Sequence, residues 1–114
     1  MDNRNELKRQ YKQMKKEAGV YQIKNTRNQK VLIESTPDLK TMNGKLMQLR
    51  WGGHQNKQLQ EEWNKFGEDT FIMEVLEVLD EPSEGFFDKE GELKKLKAKW
   101  LEKLQPYGNR GYHS

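Results

Sequence analysis

Apolar residues recur along this chain with two different periods, and the switches between them mark out its elements. Leu7, Tyr11, Met14 and Ala18 are spaced by four, three and four, which places them on one face of a helix. Lys8, Arg9, Lys12, Lys15 and Lys16 take the remaining positions, and Gly19 is a natural stop. Two stretches rich in β-branched and aromatic residues follow, Val20 to Lys24 and Lys30 to Glu34, and predict short strands. The Asn25-Thr26-Arg27-Asn28-Gln29 segment between them suits a turn, so the pair reads as a hairpin.

Helical spacing returns after Ser35-Thr36-Pro37-Asp38, which breaks the strand. Leu39, Met42, Leu46 and Leu49 predict a helix from Leu39 to Trp51, with Asn43-Gly44 as a division within it and Gly52-Gly53 as its end. Asn56 is placed to cap the next helix, which carries Leu59, Trp63 and Phe66 on one side and is expected to close at Gly67 in the left-handed conformation. The segment Thr70 to Leu79 is nearly all apolar and predicts a buried central strand. A loop from Asp80 to Gly91 surrounds Phe86-Phe87 with acidic residues. A last helix from about Glu92 to Leu104 sets Leu93, Leu96, Trp100, Leu101 and Leu104 on one side, and Pro106 stops it. The predicted class is α+β, with an N-terminal basic amphipathic helix over 1–18 and a domain over 19–114.

Composition narrows the picture. The 114 residues fit a single domain, and with 32% hydrophobic against 34% charged residues the core must be thin. No run is apolar enough to span a membrane, and the polar N-terminus lacks the apolar stretch of a signal peptide. The absence of cysteine excludes disulfides and zinc–thiolate sites and fits a cytoplasmic protein. The net charge of +3 is mildly basic and compatible with nucleic acid.

Specific residues carry a resemblance. Gly53-His54-Gln55-Asn56-Lys57-Gln58-Leu59-Gln60, then Trp63-Asn64-Lys65-Phe66-Gly67, then Phe71 and Leu76-Glu77 form a pattern similar to that of the GIY-YIG endonuclease superfamily. Gly19-Val20-Tyr21 stands for its first motif and Leu32-Ile33-Glu34 for its second, while Trp100 and Gly111-Tyr112 match features near its end. The resemblance covers roughly residues 18–113. It implies a small three-stranded antiparallel sheet flanked by helices, and a surface where two tyrosines meet an arginine, a histidine and a metal-binding glutamate. Metal-assisted phosphodiester cleavage needs such groups to activate water, offset phosphoryl charge and assist the leaving oxygen. Carried over residue by residue, only Tyr21 survives. The second tyrosine is Leu32, the motif glycine is Glu34, the arginine falls on Met42, the histidine on Leu46 and the metal glutamate on Lys97. The segment Leu39-Lys40-Thr41-Met42-Asn43-Gly44 looks like that of a degenerate branch sometimes labelled LuxR-type transcriptional regulators, although no helix-turn-helix is legible.

The chain is therefore expected to bind nucleic acid, DNA foremost, without cleaving it. The candidate contacts are Tyr21, Arg50, His54, Asn56 and Lys57, since cations around a helix N-terminus favour phosphate. Against this stands a purely local role, with Asn56 only capping, His54 only packing and Tyr21 only filling the sheet. A protein-interaction module that keeps the fold alone is the competing reading, signalled by Trp51 and Phe86-Phe87. A metal-dependent endonuclease with a rearranged site is the third; it requires Glu34 to converge with Glu74 or Glu77 beside Tyr21 or His54. No cofactor is expected, and a divalent ion such as magnesium enters only with that third reading.

Overall fold

The computed structural model describes residues 17–80 and 87–113. The expected N-terminal helix and Phe86 lie outside these residues. Strand β1 (Gly19–Asn25) turns into β2 (Val31–Thr36), a 3₁₀ turn Leu39–Thr41 leads into α1 (Met42–Trp51), and α2 (Lys57–Phe66) precedes β3 (Phe71–Val78) and α3 (Lys89–Leu104). The sheet order is β2-β1-β3, antiparallel throughout.

The central strand is therefore β1, not the apolar segment after Gly67. β1 is paired on both sides, from Gly19 opposite Thr36 and Val78 to Lys24 opposite Val31 and Ile72. β3 is an edge strand whose Ile72, Val75 and Val78 remain 41–44% exposed. Apolar content signalled a strand correctly, but it could not say how many neighbours the strand would have. A bulge shifts the β1–β3 register between Val20 and Tyr21, so that Leu76 and Glu77 both turn toward one face. Gly19 sits at this irregularity, and a Cβ there would run into the Glu77 carbonyl oxygen.

Alternation along β1 divides the core in two. Tyr21 and Ile23 face one side, where Leu32, Leu49, Leu59, Trp63, Phe71 and Tyr112 close around them under α1 and α2. Val20 faces the other, with Val31 and Ile33, beneath Leu96, Trp100, Leu101 and Leu104 of α3. Ile23, Leu49 and Leu59 are essentially sealed, and each such side chain contributes about 1.5–3 kcal/mol on burial.

Several boundaries move from their sequence positions for local reasons. β2 runs through Ser35 to Thr36 because Thr36 still pairs with Gly19; the break comes at Pro37. Asp38 then caps the 3₁₀ turn, accepting from the Lys40 N–H at 3.0 Å. That turn, rather than Asn43-Gly44, divides the predicted helix, and Gly44 lies within α1. α3 begins earlier than expected because Asp88 caps it by accepting from the Gly91 N–H at 3.1 Å. Gly67 has φ 90° and ψ 161°, a positive-φ extended conformation rather than the left-handed helical one.

One carboxylate ties these parts together. Oε1 of Glu62 on α2 accepts from Asn25 Nδ2 at 2.9 Å, Asn28 Nδ2 at 2.8 Å and Tyr112 Oη at 2.7 Å, and Oε2 meets Lys30 Nζ at 3.4 Å. Asn25 is fully buried, and its own Oδ1 accepts from the Arg27 N–H, shaping the hairpin turn. The chain end then lies along β2: Gly111 bridges to Val31, and the Tyr112 N–H donates to the Val31 carbonyl at 3.0 Å. Replacing Glu62 leaves these donors without their acceptor. Glu62→Ala is expected to lower unfolding free energy by about 2–3 kcal/mol, measured by urea titration. A loss under about 0.5 kcal/mol, the range of an ordinary surface substitution, would show that the hub is dispensable.

Candidate functional site

The positions to which the resemblance assigns cleavage chemistry do meet in space. Tyr21 on β1 and Leu32 on β2 are buried in one cluster, and Met42 and Leu46 of α1 pack against it. Tyr21 is 1% exposed. Its burial, and next the Glu34 carboxylate opposite it on β2, push its hydroxyl well above the ordinary tyrosine range, so it stays protonated. With its ring sealed in the core, Tyr21 has no face to offer a base for stacking.

Glu34 is the focus of a small polar group at one end of the sheet. Its Oε2 lies 3.9 Å from Lys97 Nζ of α3, and both side chains are about one-third exposed. The field of Glu34 reaches Tyr21, His54 and His113, while Lys45 acts on His54 and Lys97 acts on His113. His113 comes from the chain end, and its Nε2 accepts from the Ile33 N–H at 2.9 Å on the outer edge of β2. His54 Nδ1 accepts from the Asn56 N–H at 3.0 Å. Both imidazoles spend a lone pair on a backbone donor and are therefore neutral at that nitrogen. Burial first, and then the neighbouring lysine, hold both below the usual histidine value, against the partial opposition of Glu34.

The Gly-x-His-x-Asn-x-x-Leu-Gln segment proves to be a bracing network. Asn56 Oδ1 caps α2 by accepting from the Leu59 N–H at 3.0 Å, and its Nδ2 donates to the Tyr112 carbonyl at 2.9 Å. Gln60 accepts from the His54 N–H and donates to the Leu49 carbonyl at the end of α1. Of the five candidate residues, Lys57 is exposed and forms no ion pair among the described residues, and His54 and Asn56 lie beside it at the start of α2. Arg50 stands apart: its Nε and Nη2 grip Glu68 at 2.6 and 2.9 Å in an exposed fork. Such an exposed pair adds little stability, but phosphate would have to displace it. Lys45 and His113 were missed in the sequence, and Lys97 and Gln60 were named there without their partners, Glu34 for the one and the His54 N–H and Leu49 carbonyl for the other.

The residues present do not fit a divalent cation. Among the described residues no three His, Asp or Glu side chains gather as a ligand set. Glu34 is a single carboxylate facing an ammonium, where magnesium or calcium requires several oxygens. The convergence of Glu34 with Glu74 or Glu77 is not formed. Those two lie on β3 across the central strand and turn to the opposite face, where Glu74 accepts from Gln22 and Glu77 accepts from Lys99 and the Trp100 indole. Phe87 is half-buried, and Trp51 is 77% exposed at the end of α1.

With this geometry in hand, comparison with solved structures is decisive. The catalytic domain of the homing endonuclease I-TevI superposes with a TM-score of 0.66 at 31% identity, over 83% of this chain and 95% of that one. The chain belongs to the GIY-YIG endonuclease superfamily. A mutant of the same intron-endonuclease catalytic domain gives a TM-score of 0.63, again at 31% identity, over 78% of this chain and 84% of that one. No family profile and no curated protein sequence matches the chain. Within this GIY-YIG fold no helix among the described residues is long and apolar enough to cross a membrane.

The two histidines make stability pH-dependent with a definite sign. Their folded values lie below the unfolded value near 6.5, so the unfolded chain binds protons first as pH falls. Their contribution is complete above 6.5 and is lost as pH falls through the lowered folded values. Thermal melts are expected to be flat from about pH 8 to 7 and to decline below about 6.5. The His54→Asn, His113→Asn double variant, which keeps side-chain acceptors but cannot titrate, should reduce that decline. An unchanged acid limb would exclude the histidines as its source.

Proposed function

We propose that this GIY-YIG domain binds nucleic acid, DNA foremost, through its phosphates and does not cleave it. The observation carrying this reading is that Glu34 and Lys97 form an ion pair where the resemblance calls for glycine and a metal-binding glutamate, beside Leu32, Met42 and Leu46 in place of tyrosine, arginine and histidine. An apolar cluster with one neutralised carboxylate cannot activate water, clamp phosphoryl oxygens and hold a metal ion together. What remains is suited to anions. Lys57 beside the start of α2, with Lys45 and Lys97 near His54 and His113, presents positive charge without any histidine having to protonate. Phosphate contacts of this type position a protein on a strand without reading its sequence. Tyr21 serves the fold in this account, and Arg50 contributes only by exchanging Glu68 for phosphate.

A second reading, a protein-interaction module, has one observation in its favour. Met47 and Trp51 lie four residues apart on α1, on the same helical face, and are 38% and 77% exposed.

Fluorescence anisotropy with labelled duplex and branched DNA across a salt series tests the first reading. Affinity should fall with added salt at a logarithmic slope of about −3, one unit for each lysine engaged. The Lys57→Ala, Lys97→Ala double variant should remove about two units of that slope. Glu34→Gln, which releases Lys97 from its partner, should tighten binding about 2- to 5-fold. An unchanged slope in the double variant would place the interface elsewhere, and no binding at low salt would leave the interaction-module reading.

A further inference from the structure

The opposite face of the sheet carries a separate cleft of about 530 Å³, at the end farthest from Glu34. Its floor is the sheet, where Val31 of β2, Gln22 and Lys24 of β1 and Leu76 of β3 line this side. Its walls are the last turns of α3, with Trp100 and Leu104, and the segment after it, with Asn109 and Arg110. The volume is that of a small-molecule site.

Three chemistries line it. Leu76 and Trp100 form an apolar wall. The Trp100 indole N–H is taken by Glu77, so the indole offers the cleft no donor, and Lys103 lies 4.7 Å over its ring. Four side-chain amides also line it; those of Asn28 and Gln29 in the hairpin turn give their N–H groups to Glu62 and the Thr26 carbonyl, which leaves two of interest. Gln22 gives its Nε2 to Glu74 and keeps Oε1 as an acceptor; Asn109 forms no side-chain hydrogen bond among the described residues. The third chemistry is two cations, Lys24 and Arg110, neither of them in an ion pair among the described residues. Glu74 and Glu77 of β3 are bonded to lining residues, through Gln22 and the Trp100 indole. Gln22 and Lys24 are two residues apart on one strand face, roughly 7 Å.

We propose that this cleft binds a nucleotide unit: the base against Leu76 and Trp100 with its edge read by Gln22 and Asn109, and the phosphate held by Lys24 and Arg110. Each part matches one group: apolar surface for a planar base, amides for its mixed donor–acceptor edge, and paired cations for the phosphate. A simple anion would use only the cations, and an apolar ligand would leave both cations and both amides without a role. The proposal is independent of the phosphate interface: Lys57 starts α2 on the other side of the sheet, and Lys97, although on α3, is held toward Glu34 at the other end. A free nucleotide and a nucleotide within a strand present the same chemistry to it.

The test is a titration of the full chain, isotope-labelled, followed through its backbone amide signals. Adenosine 5′-monophosphate is added, and adenosine and inorganic phosphate are added in separate runs. The expected result is saturable movement of the Lys24, Asn109 and Arg110 signals with the nucleotide by about 1 mM, and at least about 5-fold weaker effects from either fragment alone. Arg110→Ala and Lys24→Gln should each weaken binding about 5-fold or more, with signal dispersion confirming that each variant is folded. Lys40→Ala, which removes an exposed cation on the 3₁₀ turn outside the cleft, should bind as the parent does. A 5′-phosphorylated tetranucleotide read at the same amides identifies the source. Binding about 10-fold tighter than the monophosphate assigns a strand, and equal or weaker binding assigns a free nucleotide. Phosphate acting as strongly as the nucleotide, signals moving only around Lys57 and Lys97, or full binding in both cleft variants would each overturn the assignment.

Discussion

The Glu62 carboxylate gathers donors from the end of β1, the hairpin turn with the residue before β2, and the chain end, and ties them to α2. It takes the buried amide of Asn25, the turn amide of Asn28 and the phenol of Tyr112 on one oxygen, and the ammonium of Lys30 on the other. Burial pulls this carboxyl upward, but the donors outweigh it and hold it below the usual glutamate value, so it stays ionised. The hairpin turn, the start of the sheet edge and the chain end are thereby referred to one side chain on α2. Because the same helix is capped by Asn56, and Asn56 also donates to the Tyr112 carbonyl, the polar network runs from the hairpin turn through the chain end to the start of α2.

That arrangement gives the nuclease-like pattern of the second helix a structural reason of its own. His54, Asn56 and Gln60 spend their polar atoms on backbone groups, where each loss would strand a partner. Tyr21 fills the centre of the larger apolar cluster. Glu34 and Lys97 reverse the charge pattern that the superfamily resemblance implies, and they do so at the rim, where neither must be sealed from water. The fold is maintained by one set of residues, and the surface chemistry was free to change in another.

Legibility in the sequence followed the range of each interaction. Capping of α2 by Asn56 was readable because donor and acceptor lie three residues apart. The hairpin was readable from Asn25 to Gln29, and Leu59 with Trp63 from helical spacing. The edge position of β3 was not, since strand order depends on partners more than forty residues apart, such as Gln22 and Glu74. Glu62 looked like any solvated helix acid, and His113 like part of a polar tail, because their partners are contributed by the tertiary structure. At the candidate site the replacements at Leu32, Met42, Leu46 and Lys97 were visible by alignment of motifs, but the pairing of Glu34 with Lys97 required both chain segments in place.

A DNA-binding role without cleavage is most directly tested by incubating the purified chain with labelled duplex and branched DNA at low salt, with and without magnesium or manganese, and reading shift and product on one gel. The account predicts a shift independent of the metal and no product, in the parent chain and in Lys97→Glu alike, because a carboxylate on α3 alone would still lack the groups replaced by Leu32, Met42 and Leu46. Metal-dependent product from the parent chain, abolished by Tyr21→Phe or Glu34→Ala, would contradict it.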